Sequence, residues 1–388
     1  METPDTNLEL SVVIPCLNES ATIAKAVGMA RELIDAVGAP GEVVVSDNGS
    51  DDGSQQLAEA AGARVVAADR RGYGFALLSG IRAAGGRVVV MGDADATYDF
   101  REALDMVRAV QQGADLAMGS RLRGDIEPGA MPPLHRHLGT PVLTWLIRRF
   151  FGLRISDCNC GMRAFSKSAF EKMGIVSGGM EFASEMLIKA ALCDLKVVEF
   201  PCSLHVDTRD RKPHLNTWRD GWRHLRFILL FAPHIVFTAP GWILSAVFGM
   251  MILLLSLGPV SIGDTHFDYH HLFYAVPVFC IGLQLLWFSA FAEKFRRFVG
   301  LGGGDAAPPA KFHLERWLLL GLLVGAAGVA VFATVLVNWW ASGRGSLLAI
   351  RSSVFALTLV LGGFLTVMNA LMLSMLELHF DSQATRRG

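Results

Sequence analysis

Short apolar runs alternate with longer amphipathic segments in the first third of the chain. The apolar runs lie at 10–15, 41–47, 64–67, 87–91 and 115–118, and helices are predicted at 21–37, 54–61, 75–84 and 99–112. Strands separated by helices of this length are typical of a mostly parallel sheet with right-handed crossovers. We therefore predict an α/β fold for this part of the chain, with ligands bound at the carboxyl ends of the strands.

From residue 227 onward, long apolar stretches dominate the sequence. Four of them contain no Asp, Glu, Lys or Arg and lie near 235–258, 271–292, 317–340 and 353–376. Each is long enough to cross a bilayer, because about 20 apolar residues span the hydrocarbon core. We therefore predict two domains, an α/β domain at 1–226 and a membrane domain at 232–388 with four transmembrane helices.

The charges in the loops predict how these helices are oriented. The loop at 261–270 contains no Lys or Arg, whereas the loop before the third segment contains Lys294, Arg296, Arg297, Lys311 and Arg316. Basic loops remain in the cytoplasm, and the polar N-terminus shows no signal peptide. We expect a multi-pass protein of a bacterial-type inner membrane with the α/β domain in the cytoplasm. Arg344 and Arg351 in the third loop oppose this orientation.

The composition argues against a nucleic-acid partner and against disulfide bonds. Lys and Arg together number 35 and Asp and Glu 36, so the chain lacks the basic surplus of a nucleic-acid-binding protein. The six cysteines are scattered, and a disulfide framework is not expected in a reducing cytoplasm. Cys158 and Cys160 could belong to a metal site, but no second ligand pair accompanies them, so ordinary thiols are favoured.

Candidate chemistry lies where the fourth predicted strand ends. The apolar run at 88–91 is followed by Gly92 and then by Asp93-Ala94-Asp95. Carboxylates at this position offer hard oxygen ligands to a divalent cation, which can also bridge a diphosphate. A solvated turn is the alternative. Two other nucleotide-binding motifs are missing, since no Gly-x-Gly-x-x-Gly follows the first strand and no Gly-Lys-Ser/Thr P-loop occurs.

Several motifs together resemble the inverting family 2 glycosyltransferases with the GT-A fold. The segments that carry the resemblance are 13–19, 47–53, 72–74 with Gly80, and 92–95. The later segments 118–121 and 160–165 look like the branch that makes polyprenyl-phosphate sugars, typified by dolichol-phosphate mannose and glucose synthases. The resemblance extends over about residues 10–233. It implies a GT-A nucleotide-sugar-binding domain, a mostly parallel sheet with flanking helices, followed here by a bundle of four transmembrane helices.

The resemblance also implies a donor site. Its residues in this chain are Pro15, Asn18, Glu19, Asp47, Gly72, Ala94, Arg209, Arg211 and Lys212. Asp93 and Asp95 are implied to hold Mg²⁺ or Mn²⁺ against the diphosphate, which gives Lewis-acid help to the leaving group. The alternative role of Asn18 is to cap a helix. The alternative for residues 209–214 is a run of charged residues that is exposed to solvent and binds no ligand. The sequence departs from many relatives at 96–99, which leaves a contact of Thr97 with the donor open.

On the acceptor side, the resemblance implies an anionic lipid head group. It assigns Arg121, Arg136 and Arg163 to that ligand and makes Arg121 catalytic together with Asp93 and Asp95. Segments near 132–151 and 214–231 combine apolar and aromatic residues with cations, which suits helices lying in the membrane interface. A core helix is the alternative for the first segment. Glu181 and Glu185 share one helical face and either orient a substrate or form a structural pair.

These assignments lead to a functional hypothesis. The chain is expected to transfer one sugar from a nucleotide-diphosphate sugar, UDP-glucose before GDP-mannose, to a polyprenyl phosphate at the cytoplasmic membrane face, with inversion. Two alternatives stay open: a membrane glycosyltransferase with another lipid or polysaccharide acceptor, and a nucleotide-binding transporter or scaffold. The Gln/Arg-x-x-Arg-Trp motif of processive synthases is absent, and few intramembrane charges are available for transport. The sequence leaves a homo-oligomer open.

Overall fold

A computed structural model of the protein describes residues 8–207, 209, 217–298, 312–344, 347 and 349–385. The described residues up to Leu230 form one compact unit, and those from Phe231 onward form a second. The first unit contains a seven-stranded sheet with helices, and the second contains long helices and one short hairpin.

The first unit alternates strands and helices along the chain. Its strands are β1 (Leu10–Cys16), β2 (Gly41–Asp47), β3 (Arg64–Ala67), β4 (Val88–Met91), β5 (Leu116–Ser120), β6 (Arg163–Ser166) and β7 (Val197–Pro201). Its helices are α1 (Ile23–Val37), α2 (Ser54–Ala60), α3 (Tyr73–Ala83), α4 (Leu104–Gln111), α5 (Thr140–Phe151), α6 (Lys167–Met173), α7 (Phe182–Leu192) and α8 (Thr217–Phe231). A 3₁₀ turn at Phe100–Ala103 leads into α4, and a π-helical turn at His135–Gly139 leads into α5.

The strand order of the sheet is β3-β2-β1-β4-β6-β5-β7. β1 pairs in parallel with β2 and β4, β2 with β3, and β5 with β7, whereas β6 runs antiparallel between β4 and β5. Every residue of β1 and β4 is buried, as expected for apolar strands that are covered on both faces. This mostly parallel sheet with flanking helices confirms the predicted fold class.

The elements predicted before residue 119 all occur, with ends that differ by a few residues. Their signal is strong because each strand is a continuous apolar run that is bounded by polar turns. The alternation does not predict β6, since a strand of four residues carries too little periodicity to be distinguished from a loop. β6 is also the strand that interrupts the parallel order.

The second unit contains the apolar segments. Its helices are α9 (Ala239–Leu257), α10 (Tyr269–Phe298), α11 (Leu314–Ala341) and α12 (Ile350–Thr385), and its hairpin is formed by β8 (Val260–Ile262) and β9 (Thr265–Phe267). Within the described part of the chain, four helical segments are long and apolar enough to cross a membrane, namely His234–Leu257, Tyr269–Arg296, Leu314–Ala341 and Ile350–Glu377. These helices agree with the four apolar segments of the sequence.

A polar pair joins two of these helices. The side-chain amides of Gln284 in α10 and Asn369 in α12 exchange hydrogen bonds of 3.1 and 3.0 Å. Amide groups inside a bilayer have no water to bind, so a reciprocal pair of this kind stabilises the contact between the helices.

Candidate active site

Most predicted site residues follow the carboxyl ends of strands. Asp47 ends β2, Asp93 and Asp95 follow β4, and Arg121 follows β5. β5 points in the same direction as β4, because each pairs antiparallel with β6. Residues that follow strands of one direction meet at one edge of the sheet, which is where ligands bind in open α/β folds.

Two hydroxyl groups hold the acidic pair. The Tyr73 hydroxyl donates to Asp93 Oδ1 at 2.8 Å, and the Thr97 hydroxyl and N–H donate to Asp95 Oδ1 at 2.7 and 3.1 Å. Both carboxylates are partly exposed, whereas Ala94 between them is buried. Each carboxylate therefore has one oxygen atom that is held by a neighbouring hydroxyl group.

The two carboxylates act on each other electrostatically. Burial and the charge of Asp95 raise the pKa of Asp93 to about 7, although the Tyr73 hydrogen bond acts in the opposite direction. Paired carboxylates are suited to a divalent cation that prefers oxygen ligands. Among the residues that the structure describes, no group of three or more His, Cys, Asp or Glu side chains could hold a metal ion. Water or a bound substrate would supply the remaining oxygen ligands of a cation at Asp93 and Asp95.

Arg209 brings positive charge to the same pair. Its guanidinium donates to Glu19 Oε1 at 2.6 Å, to Asp95 Oδ2 at 3.1 Å and to Asp207 Oδ2 at 2.6 Å. Only 13% of the Arg209 side chain is exposed. The contact connects a residue that follows β1 with a residue that follows β4. With Thr97 on the other oxygen, both oxygen atoms of Asp95 are engaged.

Hydrogen bonds connect the loops that follow β1 and β2. Asn18 has a φ of 57°, and its Oδ1 accepts the N–H of Asp51 at 2.9 Å. The Asp47 carboxylate accepts two backbone N–H groups of its own loop and the Gln55 amide at 2.7 Å. Asn18 is thus not the cap of α1, because Thr22 precedes that helix. The loops that follow β1 and β2 are thus joined by a hydrogen bond next to Glu19.

Arg121 is anchored by a buried carboxylate. Its Nε donates to Asp157 Oδ2 at 2.7 Å, and its Nη2 donates to Asp157 Oδ1 at 2.9 Å. Asp157 is fully buried, and this bidentate geometry fixes the plane of the guanidinium. Nη1 is the nitrogen that Asp157 does not use. Burial and the charge of Arg121 lower the pKa of the His135 imidazole.

Comparison with known proteins identifies the family. Residues 11–174 match the family model described as glycosyl transferase family 2, and residues 309–377 match the glycosyltransferase family 2 C-terminal transmembrane region. A low-salt glycan biosynthesis hexosyltransferase of Haloferax volcanii is 39% identical over 358 residues, which cover 91% of this chain and 86% of that protein. The chain belongs to glycosyl transferase family 2.

More distant proteins are similar to about half of this family 2 glycosyltransferase. The dolichyl-phosphate hexose transferase of Haloferax volcanii is 28% identical over 193 residues, which cover 50% of this chain and 81% of that protein. One solved structure is that of glucosyl-3-phosphoglycerate synthase from Mycobacterium tuberculosis, crystallised with Mn²⁺, uridine diphosphate and glucosyl-3-phosphoglycerate. Its sequence is 23% identical to this chain, and the TM-score is 0.47. The match covers 58% of this chain and 80% of that chain. The family models and the 39% identical relative confirm the resemblance and the membrane-spanning region that the sequence predicts.

The structure contradicts the assignment of Arg163 to the acceptor. In this glycosyltransferase the Arg163 side chain is fully buried, and its guanidinium donates to the backbone carbonyls of Cys158, Cys160 and Ala183 at 2.7–3.2 Å. A guanidinium held by three carbonyl groups in the interior cannot reach a lipid phosphate at the surface. Arg163 instead stabilises the segment that leads into β6.

The other predicted residues are placed in different surroundings. Arg136 is exposed in the π-helical turn before α5, Pro15 is buried in β1, and Gly72 immediately precedes α3. Arg211 and Lys212 lie outside the described residues. The structure of this family 2 glycosyltransferase therefore brings Glu19, Asp95 and Arg209 into contact but does not test the rest of the basic run.

Glu181 and Glu185 differ in their surroundings. Glu185 is fully buried, pairs with Lys189 at 2.7 Å and accepts backbone N–H groups of Val176 and Ser177. It is therefore a structural residue. Glu181 is partly exposed, and its Oε2 is buried without a hydrogen-bond partner among the described residues. Of the two carboxylates, Glu181 is the one that could orient a substrate.

Two residues that organise the site are not apparent from the sequence. Asp157 holds Arg121 from a position 36 residues further along the chain, and Tyr73 holds Asp93 across 20 residues. No local pattern relates partners at such separations. Tyr73 lies between two glycines, a pattern that predicts a turn. The pattern does not predict that its hydroxyl contacts a carboxylate.

Proposed function

We propose that this enzyme transfers a hexose from a nucleotide-diphosphate sugar to a polyprenyl phosphate at the cytoplasmic face of the membrane, with a divalent cation and with inversion. The observation that carries the proposal is that the acidic pair and Arg121 follow strands that end at one sheet edge, where Arg209 reaches Asp95. The relative named as a dolichyl-phosphate hexose transferase and the transmembrane region support a lipid acceptor. UDP-glucose is the first donor to test, and GDP-mannose is the second.

On the donor side, Pro15, Asn18, Glu19 and Asp47 line the pocket for the base and the ribose. Asn18 and Asp47 are ordered by hydrogen bonds within their loops, so little of the binding free energy is lost in ordering them. Asp93 and Asp95 are the residues that would hold Mg²⁺ or Mn²⁺. Such a cation neutralises charge on the diphosphate as it leaves.

On the acceptor side, Arg121 binds the lipid phosphate beside an exposed apolar stripe. The stripe consists of Leu134, Leu138, Val142 and Trp145, whose exposed fractions lie between 43% and 60%. Their spacing of three or four residues places them on one side of the π-helical turn and α5. An exposed apolar helix face with arginines beside it is typical of a helix in the membrane interface. In α8, Trp218 and Trp222 are exposed in the same way.

The transfer itself needs no strong general base. A lipid phosphate oxygen, already ionised, attacks the anomeric carbon and forms the new C–O bond. The bond from that carbon to the diphosphate oxygen breaks, and its electron pair leaves with the nucleoside diphosphate. Attack opposite to the leaving group inverts the anomeric centre. Catalysis then depends on positioning and on charge stabilisation, for which Arg121 and Arg209 are available.

A lipid-extraction assay tests the proposal directly. The purified full-length enzyme is incubated in detergent with radiolabelled UDP-glucose or GDP-mannose, short polyprenyl phosphates and Mn²⁺. The proposal expects label in the organic phase as a mild-acid-labile glycosyl phosphate. Equal transfer to water-soluble alcohols, or label in a growing polysaccharide, would contradict the lipid-phosphate acceptor.

Arg209 should affect metal and nucleotide binding in opposite directions. Its guanidinium engages Asp95 Oδ2, so Arg209→Ala removes a cation that competes with Mn²⁺ and also a partner for the diphosphate. We expect Mn²⁺ alone to bind the variant more tightly, and UDP in the presence of Mn²⁺ to bind it more weakly, in isothermal titration calorimetry. As a control, Arg101→Ala removes an exposed arginine that pairs with Asp99 and should change neither affinity. Weaker binding of Mn²⁺ alone to R209A would exclude the competition.

Cysteine labelling tests the proposed orientation. Asp264→Cys places a thiol between β8 and β9, and Asp105→Cys places one on α4, both at exposed positions. Each variant is made in a background where the partly exposed Cys193 and Cys280 are serine. A membrane-impermeant maleimide added to intact cells should modify position 264 only, because the basic loop is expected inside. Labelling at position 105 instead would reverse the topology.

A further inference from the structure

The Gly72-Tyr73-Gly74 segment packs closely against the chain near residue 178. A Cβ atom on Gly72 would lie 2.3 Å from the Gly178 carbonyl oxygen, and one on Gly74 would lie 2.3 Å from the Ser177 carbonyl oxygen. The N–H of Gly74 donates to the Gly178 carbonyl at 3.0 Å. Any side chain on either glycine would push the start of α3 away from this backbone. The two glycines therefore determine where the Tyr73 side chain can reach.

From this position Tyr73 reaches the residue that follows β4. Its hydroxyl donates to Asp93 Oδ1 at 2.8 Å, although β3 and β4 are separated in the sheet by β2 and β1. The other oxygen of Asp93 lies against Gly161, where an added Cβ would come within 2.6 Å of Oδ2. One oxygen is thus held by a hydrogen bond and the other is confined by backbone, which restricts the carboxylate to one orientation.

We propose that Tyr73 is a positioning residue of the metal site, whose hydroxyl holds the Asp93 carboxylate in the orientation that binds a divalent cation together with Asp95. The inference rests on the proposed function, because it requires a cation at Asp93 and Asp95. A phenol suits this task, since it orders the carboxylate and leaves its negative charge for the cation. An ammonium or guanidinium in the same place would neutralise that charge.

The contact differs from the one that Thr97 makes. Thr97 bonds to Asp95 from two residues away, so that hydrogen bond orders a turn within one loop. Tyr73 instead fixes Asp93 relative to α3 and to the backbone at Ser177 and Gly178. Hydrogen-bond partners of metal ligands typically change metal affinity about 10–100-fold when they are removed.

The test compares Mn²⁺ binding to full-length wild type and Tyr73→Phe by electron paramagnetic resonance, in detergent and without nucleotide. We expect the Mn²⁺ dissociation constant to rise about tenfold or more in Y73F. UDP binding in the presence of EDTA should stay unchanged, because the phenyl ring and the flanking glycines keep the start of α3 in place. Tyr98→Phe serves as the matched control, since that hydroxyl accepts the Gly161 N–H at 3.2 Å. We expect the Mn²⁺ dissociation constant to rise less in Y98F than in Y73F, even if the melting temperature of Y98F is lowered.

The outcomes separate this inference from the proposed function. If Asp95→Asn loses Mn²⁺ binding while Y73F binds Mn²⁺ as the wild type does, the positioning role is overturned and the metal site stands. A loss of metal-free UDP binding in Y73F equal to the loss of Mn²⁺ binding would assign Tyr73 a general structural role and would also overturn the inference. If wild type and Asp95→Asn bind Mn²⁺ equally, the metal site of the proposed function fails, and the role of Tyr73 fails with it.

Discussion

Replacing Asp95 with asparagine should lower the turnover of sugar transfer by about 10²–10³-fold and leave the fold intact. The side chain is partly exposed, and its Oδ1 accepts two hydrogen bonds from Thr97 that an amide oxygen can also accept. The substitution therefore removes one negative charge from the acidic pair and keeps the Thr97 hydrogen bonds, while it gives up the Arg209 contact at Oδ2. Transfer of labelled sugar at saturating Mn²⁺, together with thermal unfolding of the purified variant, measures both effects.

A neighbouring carboxylate provides the control for Asp95. Asp99 caps the 3₁₀ turn and pairs with Arg101 at the surface, so Asp99→Asn should leave turnover near the wild-type value. A chelator in excess should abolish transfer by the wild type, and added Mn²⁺ or Mg²⁺ should restore it. Near-normal transfer by D95N, or by the wild type in the chelator, would rule out the metal role of the pair.

Removing the Arg121 guanidinium should impair use of the lipid acceptor by roughly tenfold or more, because a hydrogen bond to a charged group contributes about 1.5–3 kcal/mol. The Michaelis constant for polyprenyl phosphate should rise, while the dissociation constant for the donor nucleotide, followed by calorimetry, should stay nearly unchanged. Arg121→Ala also leaves the buried Asp157 without its cation, a change that typically costs about 3–5 kcal/mol of stability. Thermal unfolding must therefore accompany the kinetics.

Arg121→Lys separates binding from stability. Lysine keeps a positive charge beside Asp157 but cannot form the planar bidentate contact or offer a separate nitrogen to a phosphate. We expect R121K to fold and still to use polyprenyl phosphate poorly. Arg123→Ala, which removes a half-exposed arginine paired with Glu199, should behave as the wild type. Loss of donor affinity without a change in lipid dependence would place Arg121 in the donor site instead.

The sequence predicts β1, β2 and β4 well for a physical reason. β1, β2 and β4 are continuous apolar runs, because both faces of a central parallel strand are buried. Each run ends in a polar turn, so both the strand and the position of its carboxyl end can be predicted. Asp47, Asp93 and Asp95 could be assigned to one edge on this basis. The short β6 lacks such a signal, and its place in the sheet depends on pairing with β4 and β5.

The contacts that organise the site could not be predicted in the same way. Arg209 meets Asp95 across 114 residues and Glu19 across 190, and such distances depend on how the whole unit folds. For Arg163, the sequence predicts a ligand contact that the structure does not show. An arginine within a motif suggests an anionic ligand, but a sequence does not report that the side chain is buried among backbone carbonyls. Charge identifies candidates, and only tertiary packing decides which of them meet a ligand.

Strand β6 ties the two sides of the catalytic unit into one cooperative structure. β3, β2, β1 and β4 form one group of strands, and β5 and β7 form the other. In the described sheet the two groups are joined through β6. Separating the groups requires either the β4–β6 ladder or the β5–β6 ladder to break in the middle of the sheet, so we expect the two sides to unfold together. The amide protons of β6 should accordingly exchange with deuterated water only when the whole unit unfolds. A destabilising change in the strands on either side of β6 would then lower the folded population of both sides to the same extent.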